Sequence, residues 1–208
     1  MWIDYSKEIN IKNLNIIFNT DNLFPAIGSK PIVQMDQTHS STVNFIYGNK
    51  QIYKSTDALI TSNRDIALQV KVADCMPIFI FDKKSSFFGA IHAGWRGLAS
   101  GIIENSIELL KEQDFNLRNI KVFIGPSISK RNFEIQNDVM ECFDSKFSIV
   151  KDGKIFLSLQ EVAIDKFASY GILDILNTNE CTYDNLNYHS YRLDRSVKRL
   201  QGWIYFNE

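Results

Sequence analysis

The stretch "AIHAGWRGLASGII", residues 90–103, joins two periodicities. Before it and into it runs the apolar segment "SFFGAIHA", which ends at the imidazole of His92 and reads as a buried strand. After it, Leu98, Ile102, Ile103, Ile107 and Leu110 fall on one helical stripe within "RGLASGIIENSIELLKEQ". Between the two stand Gly94, Trp95, Arg96 and Gly97. The glycines permit a tight turn with close backbone approach. A helix starting near Arg96 points its free N–H groups back at that turn. Beside a guanidinium, such a helix start favours phosphate or carboxylate. The residues alone leave a second reading open, in which Trp95 merely packs and Arg96 pairs with a surface carboxylate.

Further strands are expected in "LNIIFN" near Ile16, "TVNFIYG" after Thr42, "DALIT" from Asp57 and "IALQVKV" from Ile66. "PIFIFD", "IKVFIG" and the terminal "GWIYF" add three more. Several are continuously apolar, as strands covered on both faces are. Two further helices are expected: "NDVMECFDSKF", capped by Asn137 or Asp138, and "SLQEVAIDKFASYG". In the second, Ser158 and Glu161 form a capping box and Gly171 takes the C′ position. Strands outnumber helices without regular alternation. The expected fold is therefore α/β (α+β), a single domain over residues 1–208 with a mixed β-sheet core covered by helices. No internal repeat, interdomain linker, G-x-G-x-x-G or Walker loop is present.

The chain has 208 residues, 45% apolar and 23% charged, with a formal net charge of −1. That balance argues against broad electrostatic capture of nucleic acid or an anionic membrane. No apolar run approaches membrane-span length, and the first residues show no signal-peptide pattern. Cys75, Cys142 and Cys181 have no paired spacing, which argues against a disulfide framework and for a reducing cytoplasm.

The chain holds three histidines. His39 lies in the polar segment "MDQTHSSTV", Cys75 lies in "KVADCMPIFIF", and His92 ends its apolar run. The intervals of 36 and 17 residues are too long for a zinc knuckle and suit ligands assembled by tertiary folding. Two imidazoles and a thiolate match a zinc site with a fourth position open. Equally, Cys75 on these grounds could be a small buried hydrophobe and His39 a surface residue.

The segments "QTHSSTV", "TDALIT", "ADCMPIFIFD", "AIHAGWRGLASGII", "IGPSISKRNFEI" and "YHSYRLD" occur in the order seen in one bacterial family. From about Asn15 to Phe206 the chain resembles the YfiH-type proteins, once described as laccase-like polyphenol oxidases and now as multifunctional purine nucleoside phosphorylases with adenosine deaminase activity. The resemblance implies zinc at His39, Cys75 and His92. It also implies purine nucleosides and phosphate as substrates. The chain departs from the family's "SYRRD…GR" ending: "SYRLD" keeps Arg192, but Leu193 replaces the second arginine, and no glycine precedes Arg199. If that second arginine holds phosphate, phosphorolysis is weakened here. His189, between Tyr188 and Tyr191, reads as substrate lining.

The implied phosphorolysis converts adenosine, inosine, guanosine or S-methyl-5′-thioadenosine plus phosphate into base plus pentose 1-phosphate. Arg96 or Arg192 would hold the phosphate, and Asp74 or the metal would act near the purine. Deamination asks for a metal-activated water and a carboxyl group that carries protons. Asp74 is the nearest carboxylate in sequence, although its side chain would leave a strand opposite to that of Cys75. A multicopper oxidase needs about ten histidines, and three cannot supply them, although one copper could replace zinc in the same site. Two other functions use the same residues: a cysteine hydrolase or amidase, with Cys75 as nucleophile and His92 as base, and a non-catalytic zinc-binding protein. For the hydrolase, family context points to peptidoglycan precursors.

Overall fold

Along Met76–Asp82 the isoleucines and phenylalanines alternate, and the strand pleat sorts them onto opposite faces. Ile78 and Ile80 pack with the helices, whereas Phe79 and Phe81 enter a second core. Every residue of this strand is buried, as its continuous apolar run predicts.

The computed structural model describes residues 1–21, 23–84 and 86–207. Within them the strands are β1 (Trp2–Asp4), β2 (Leu14–Asn19), β3 (Ile32–Met35), β4 (Val43–Ile46), β5 (Ile52–Tyr53), β6 (Ala58–Thr61), β7 (Ala67–Val72) and β8 (Met76–Asp82). They continue with β9 (Phe88–Ala93), β10 (Ile120–Ile124), β11 (Glu134–Ile135), β12 (Ser148–Lys151), β13 (Lys154–Leu157), β14 (Ile175–Asn177) and β15 (Leu200–Phe206). The helices are α1 (Ser6–Ile9), α2 (Trp95–Ala99), α3 (Ile102–Glu112), α4 (Asn137–Met140), α5 (Leu159–Ser169) and α6 (Tyr191–Asp194).

The sequence reading expected one mixed sheet. The structure has two six-stranded sheets, ordered β1-β2-β15-β7-β3-β5 and β14-β10-β8-β9-β6-β4, and a small sheet β11-β13-β12. Both large sheets are mixed: β3 runs parallel to β7, and β4 parallel to β6, among mostly antiparallel neighbours. Phe18, Leu68, Val70 and Ile204 of the first sheet meet Phe79, Phe81, Phe88 and Phe123 of the second, forming a sandwich core. The other face of the second sheet is covered by Leu98, Ile103, Ile107 and Leu110 of α2 and α3 and by Val162 and Phe167 of α5. Periodicity showed which strands were covered on both faces but not that one of the covers was another sheet.

The helix expected after the turn is broken. Ser100 closes α2, and Gly101 at φ 90° starts α3. That left-handed conformation suits glycine, and the break lets two short helices follow the sheet. The helix expected over "NDVMECFDSKF" survives only as α4, with no side-chain cap. The N–H groups of Cys142 and Phe143 bond to Val139 and Met140, tightening the chain out of the α-helix, and Asp144 then caps a 3₁₀ turn. Half of the capping box predicted for α5 is present: the Ser158 hydroxyl accepts from the Glu161 N–H at 3.1 Å, but the Ser158 N–H bonds to the Phe147 carbonyl and the Glu161 carboxylate to Lys130. Gly171 follows the helix at φ 77°.

Candidate metal and anion site

Two connections and a strand end converge at one end of the sandwich. The loop from β3 to β4 carries His39, the β7–β8 connection carries Cys75, and β9 carries His92 opposite Pro77 of β8. One donor atom from each of the three residues lies within 4.8 Å of the others. His39 Nε2 is 3.7 Å from Cys75 Sγ, and the two imidazoles meet edge to face at 4.7 Å. His39 is exposed and His92 is buried, so the cluster opens on one side only.

Asp57, just before β6, organises this cluster and is fully buried. Its Oδ1 lies 2.8 Å from His92 Nδ1 and accepts the His39 backbone N–H at 3.0 Å. Its Oδ2 accepts from the Ser40 N–H and hydroxyl, both at 2.7 Å, and from Thr38. Burial alone would raise the Asp57 pKa, but the hydrogen bonds from His92 and Ser40 hold its carboxyl well below the usual carboxylate range. With Nδ1 engaged, Nε2 is the free donor of His92, an arrangement typical of metal-ligating imidazoles. Asp57 was missed as a site residue at the sequence level, although an acid at the mouth of the apolar strand "DALIT" was the available signal.

Burial also acts against the charged forms of Cys75 and His92. The charge of each on the other outweighs it, drawing the Cys75 thiol down to about 6 and lifting His92 to about 9, with Asp57 adding a hydrogen bond. The site thus favours a thiolate. Gly94, the N-cap of α2, leaves room for it: a Cβ there would stand 2.8 Å from Cys75 Sγ and 3.0 Å from His39 Cδ2. A soft thiolate, two imidazoles and a residue kept small against them fit a metal ion.

The cluster opens into a cleft of about 590 Å³ whose lining includes Asp74, Trp95, Arg96, Phe133, Tyr191 and Arg192. Lys71 and Arg199 also line it; the sequence reading gave neither a binding role. Lys71, Arg96, Arg192 and Arg199 make no ion pair among the described residues. Arg96 lies 4.4 Å over the Trp95 ring. Arg192 lies 5.3 Å over Phe133 and donates from Nη1 to the Glu134 carbonyl at 2.8 Å. Asp74, at φ 81°, is held in a strained left-handed conformation next to Cys75. Its carboxylate accepts from the Thr182 hydroxyl at 2.7 Å and from the Arg192 backbone N–H at 2.6 Å. His189 is not in the cleft lining; its Nε2 lies 2.6 Å from the Thr20 carbonyl, which ties it to the strand end of β2. Leu193 is 45% exposed and also outside the lining.

An α+β sandwich with a His–Cys–His cluster at a cation-lined cleft defines the class, and comparison with known proteins gives the family. Residues 6–207 match the family described as multi-copper polyphenol oxidoreductase laccase, and the chain belongs to it. The purine nucleoside phosphorylase YfiH of Escherichia coli is 31% identical over 196 residues, covering 90% of this chain and 79% of that protein. A Campylobacter jejuni protein, also named a purine nucleoside phosphorylase, is 32% identical over 212 residues, covering 98% and 90%. Two solved structures share the fold. A Neisseria meningitidis protein has a TM-score of 0.81 at 23% identity, covering 94% of this chain and 95% of its own. The YfiH protein of Bacillus licheniformis has a TM-score of 0.83 at 22% identity, covering 93% of each. The word "multi-copper" does not describe these residues, since one cluster of three donors is all the described residues offer.

Proposed function

We propose that this protein is a zinc-dependent purine nucleoside phosphorylase. Its substrates would be adenosine, inosine, guanosine and S-methyl-5′-thioadenosine, with adenosine deamination as a second activity and the cytoplasm as its location. One observation carries the reading: the donor cluster His39, Cys75 and His92 opens into the same cleft as four cations that make no ion pair among the described residues. The cleft volume suits a small polar ligand of nucleoside size. The names of the relatives support the choice of reaction.

In phosphorolysis a phosphate oxygen forms a bond to C1′, the N-glycosidic bond breaks, and its electron pair leaves with the purine. Arg96 and Arg192 would hold the phosphate, since each guanidinium is stacked on a ring and keeps N–H groups for an anion. A bound zinc supplies a Lewis acid for an oxygen placed against it; copper suits the same donors. The two bonds of Asp74 suit it to position Arg192, and a proton relay through it requires one of them to open. The test is to incubate the protein with adenosine or inosine, with and without phosphate, and separate the products. Hypoxanthine or adenine formed only with phosphate supports the reading. Absence of turnover by zinc-loaded protein overturns it.

A second reading has its own observation. Asp57, His92 and Cys75 form a carboxylate–imidazole–thiolate series, the arrangement of a cysteine hydrolase. A bound metal would silence that nucleophile. Alkylation-sensitive hydrolysis by metal-free protein would favour this reading.

A further inference from the structure

We propose that Lys71 is a phosphate-binding residue of the cleft, acting with Arg192 on the anion; the assignment rests on the phosphorylase reading. Lys71 is the next-to-last residue of β7, four positions before Cys75. In the sequence it is the charge that interrupts the apolar strand "IALQVKV", where a strand covered on both faces has no packing use for an ammonium. Its neighbours Val70 and Val72 are buried in the sandwich core, so the pleat sends Lys71 to the other face, and its side chain lines the cleft at the strand end.

The surroundings hold this ammonium without neutralising it. Its Nζ donates to Gln34 Oε1 at 3.0 Å, and it makes no ion pair among the described residues. The Gln37 side chain fixes the Lys71 backbone from both sides. Its Oε1 accepts the Lys71 N–H at 2.9 Å, and its Nε2 donates to the Lys71 carbonyl at 2.8 Å. Gln37 also lines the cleft, and it begins the turn that presents His39. One amide therefore sets the ammonium and a metal donor relative to each other. Burial pulls the Lys71 pKa down, and among the described residues no ion pair offsets it. A neutral amide partner leaves two ammonium protons for a ligand, and a phosphate oxygen is the acceptor that repays the desolvation.

The cleft carboxylates do not supply the missing partner. Asp74 is engaged with Thr182 and Arg192, and Asp36 forms no ion pair among the described residues. Arg199 turns one guanidinium nitrogen to the carbonyls of Ser196 and Lys198, which anchors it to its own loop. Lys71 is thus the cleft's compact, multi-proton donor on a strand, where Arg96 and Arg192 sit on short helices and Arg199 on a loop. A point charge with rotatable protons complements the planar fork of Arg192 around a tetrahedral anion.

The test compares wild type with Lys71→Gln and Lys71→Arg. Inorganic phosphate binding is measured by calorimetry, and the phosphate and nucleoside KM values by steady-state phosphorolysis. Losing one charge-assisted contact is expected to weaken phosphate binding and raise its KM by about tenfold to a hundredfold. The nucleoside KM and the melting temperature should stay near wild type, and Lys71→Arg should recover most of the phosphate affinity. An unchanged phosphate KM in an active Lys71→Gln enzyme overturns the assignment and leaves the phosphorylase reading intact. Lys71-dependent phosphate binding without nucleoside turnover does the reverse: it keeps the anion site and overturns the reading. Equal loss of affinity for both substrates, unrescued by arginine, assigns Lys71 a structural role and overturns the proposal.

Discussion

Oδ1 of Asp57 lies 2.8 Å from Nδ1 of His92, and the same oxygen accepts the backbone N–H of His39. One buried carboxylate therefore aims two of the three donors, one through its ring and one through its main chain. Asp57→Asn keeps the shape but removes the charge that fixes the His92 tautomer. The expected result is a 10- to 100-fold loss of metal affinity, read by competition against a calibrated chelator. An unchanged affinity would mean that His92 is oriented by packing alone.

Metal content tests the cluster itself. Purified protein should carry about one zinc per chain, and Cys75→Ala or His92→Ala should remove it. Elemental analysis gives the answer directly, and a variant lacking Cys75 that retains full zinc would move the site elsewhere.

Gly94→Ala tests the space around the thiolate. The new methyl would stand 2.8 Å from Cys75 Sγ, too close for either atom to remain in place. We expect metal affinity to fall by about tenfold or more, with a stability cost of about 1–3 kcal/mol from overpacking. Chelator competition and denaturant unfolding measure the two effects separately. A cost confined to stability would show that Sγ moves without consequence for binding.

Glu180 gives an alkaline signature outside the donor cluster. It accepts from the hydroxyls of Tyr5, at 2.5 Å, and Tyr188. Burial first, and then the bonds to Glu180, push both phenol pKa values well above their ordinary ~10. The folded state therefore keeps protons that the unfolded chain releases. Their stabilisation is complete below pH ~10 and is lost as pH rises above it. Denaturant unfolding between about pH 8 and 11 should show this fall, and Tyr5→Phe/Tyr188→Phe should flatten it. Equal slopes in the two proteins would count against the coupling.

The strands that matter most for the site were legible because burial on both faces leaves a plain mark. β8, β9 and β15 each contain a continuous apolar run, and their residues are all buried. β1, β3, β5, β11, β12, β13 and β14 escaped notice because two to four residues carry no clear period. The division into two sheets was equally hidden, since a phenylalanine facing a second sheet reads like one facing a helix. At the site, His39, Cys75 and His92 could be named because metal-donor side chains are scarce and chemically distinct. Asp57 and Lys71 could not, because aspartate and lysine are common. Only the fold shows that one is fully buried and that the other makes no ion pair among the described residues.

The conformation of Asp74 joins two parts of the cleft. Its backbone runs directly into Cys75, and its side chain grips the N–H of Arg192 across 118 positions of sequence. The thiolate and the arginine wall are thus ends of a lever one residue long. If a metal seated on the thiolate steadied the arginine, an anion seated on the arginine would have to steady the thiolate in return, by an equal free energy. On the proposed function, metal affinity measured with and without phosphate would then differ by the same factor as phosphate affinity measured with and without metal.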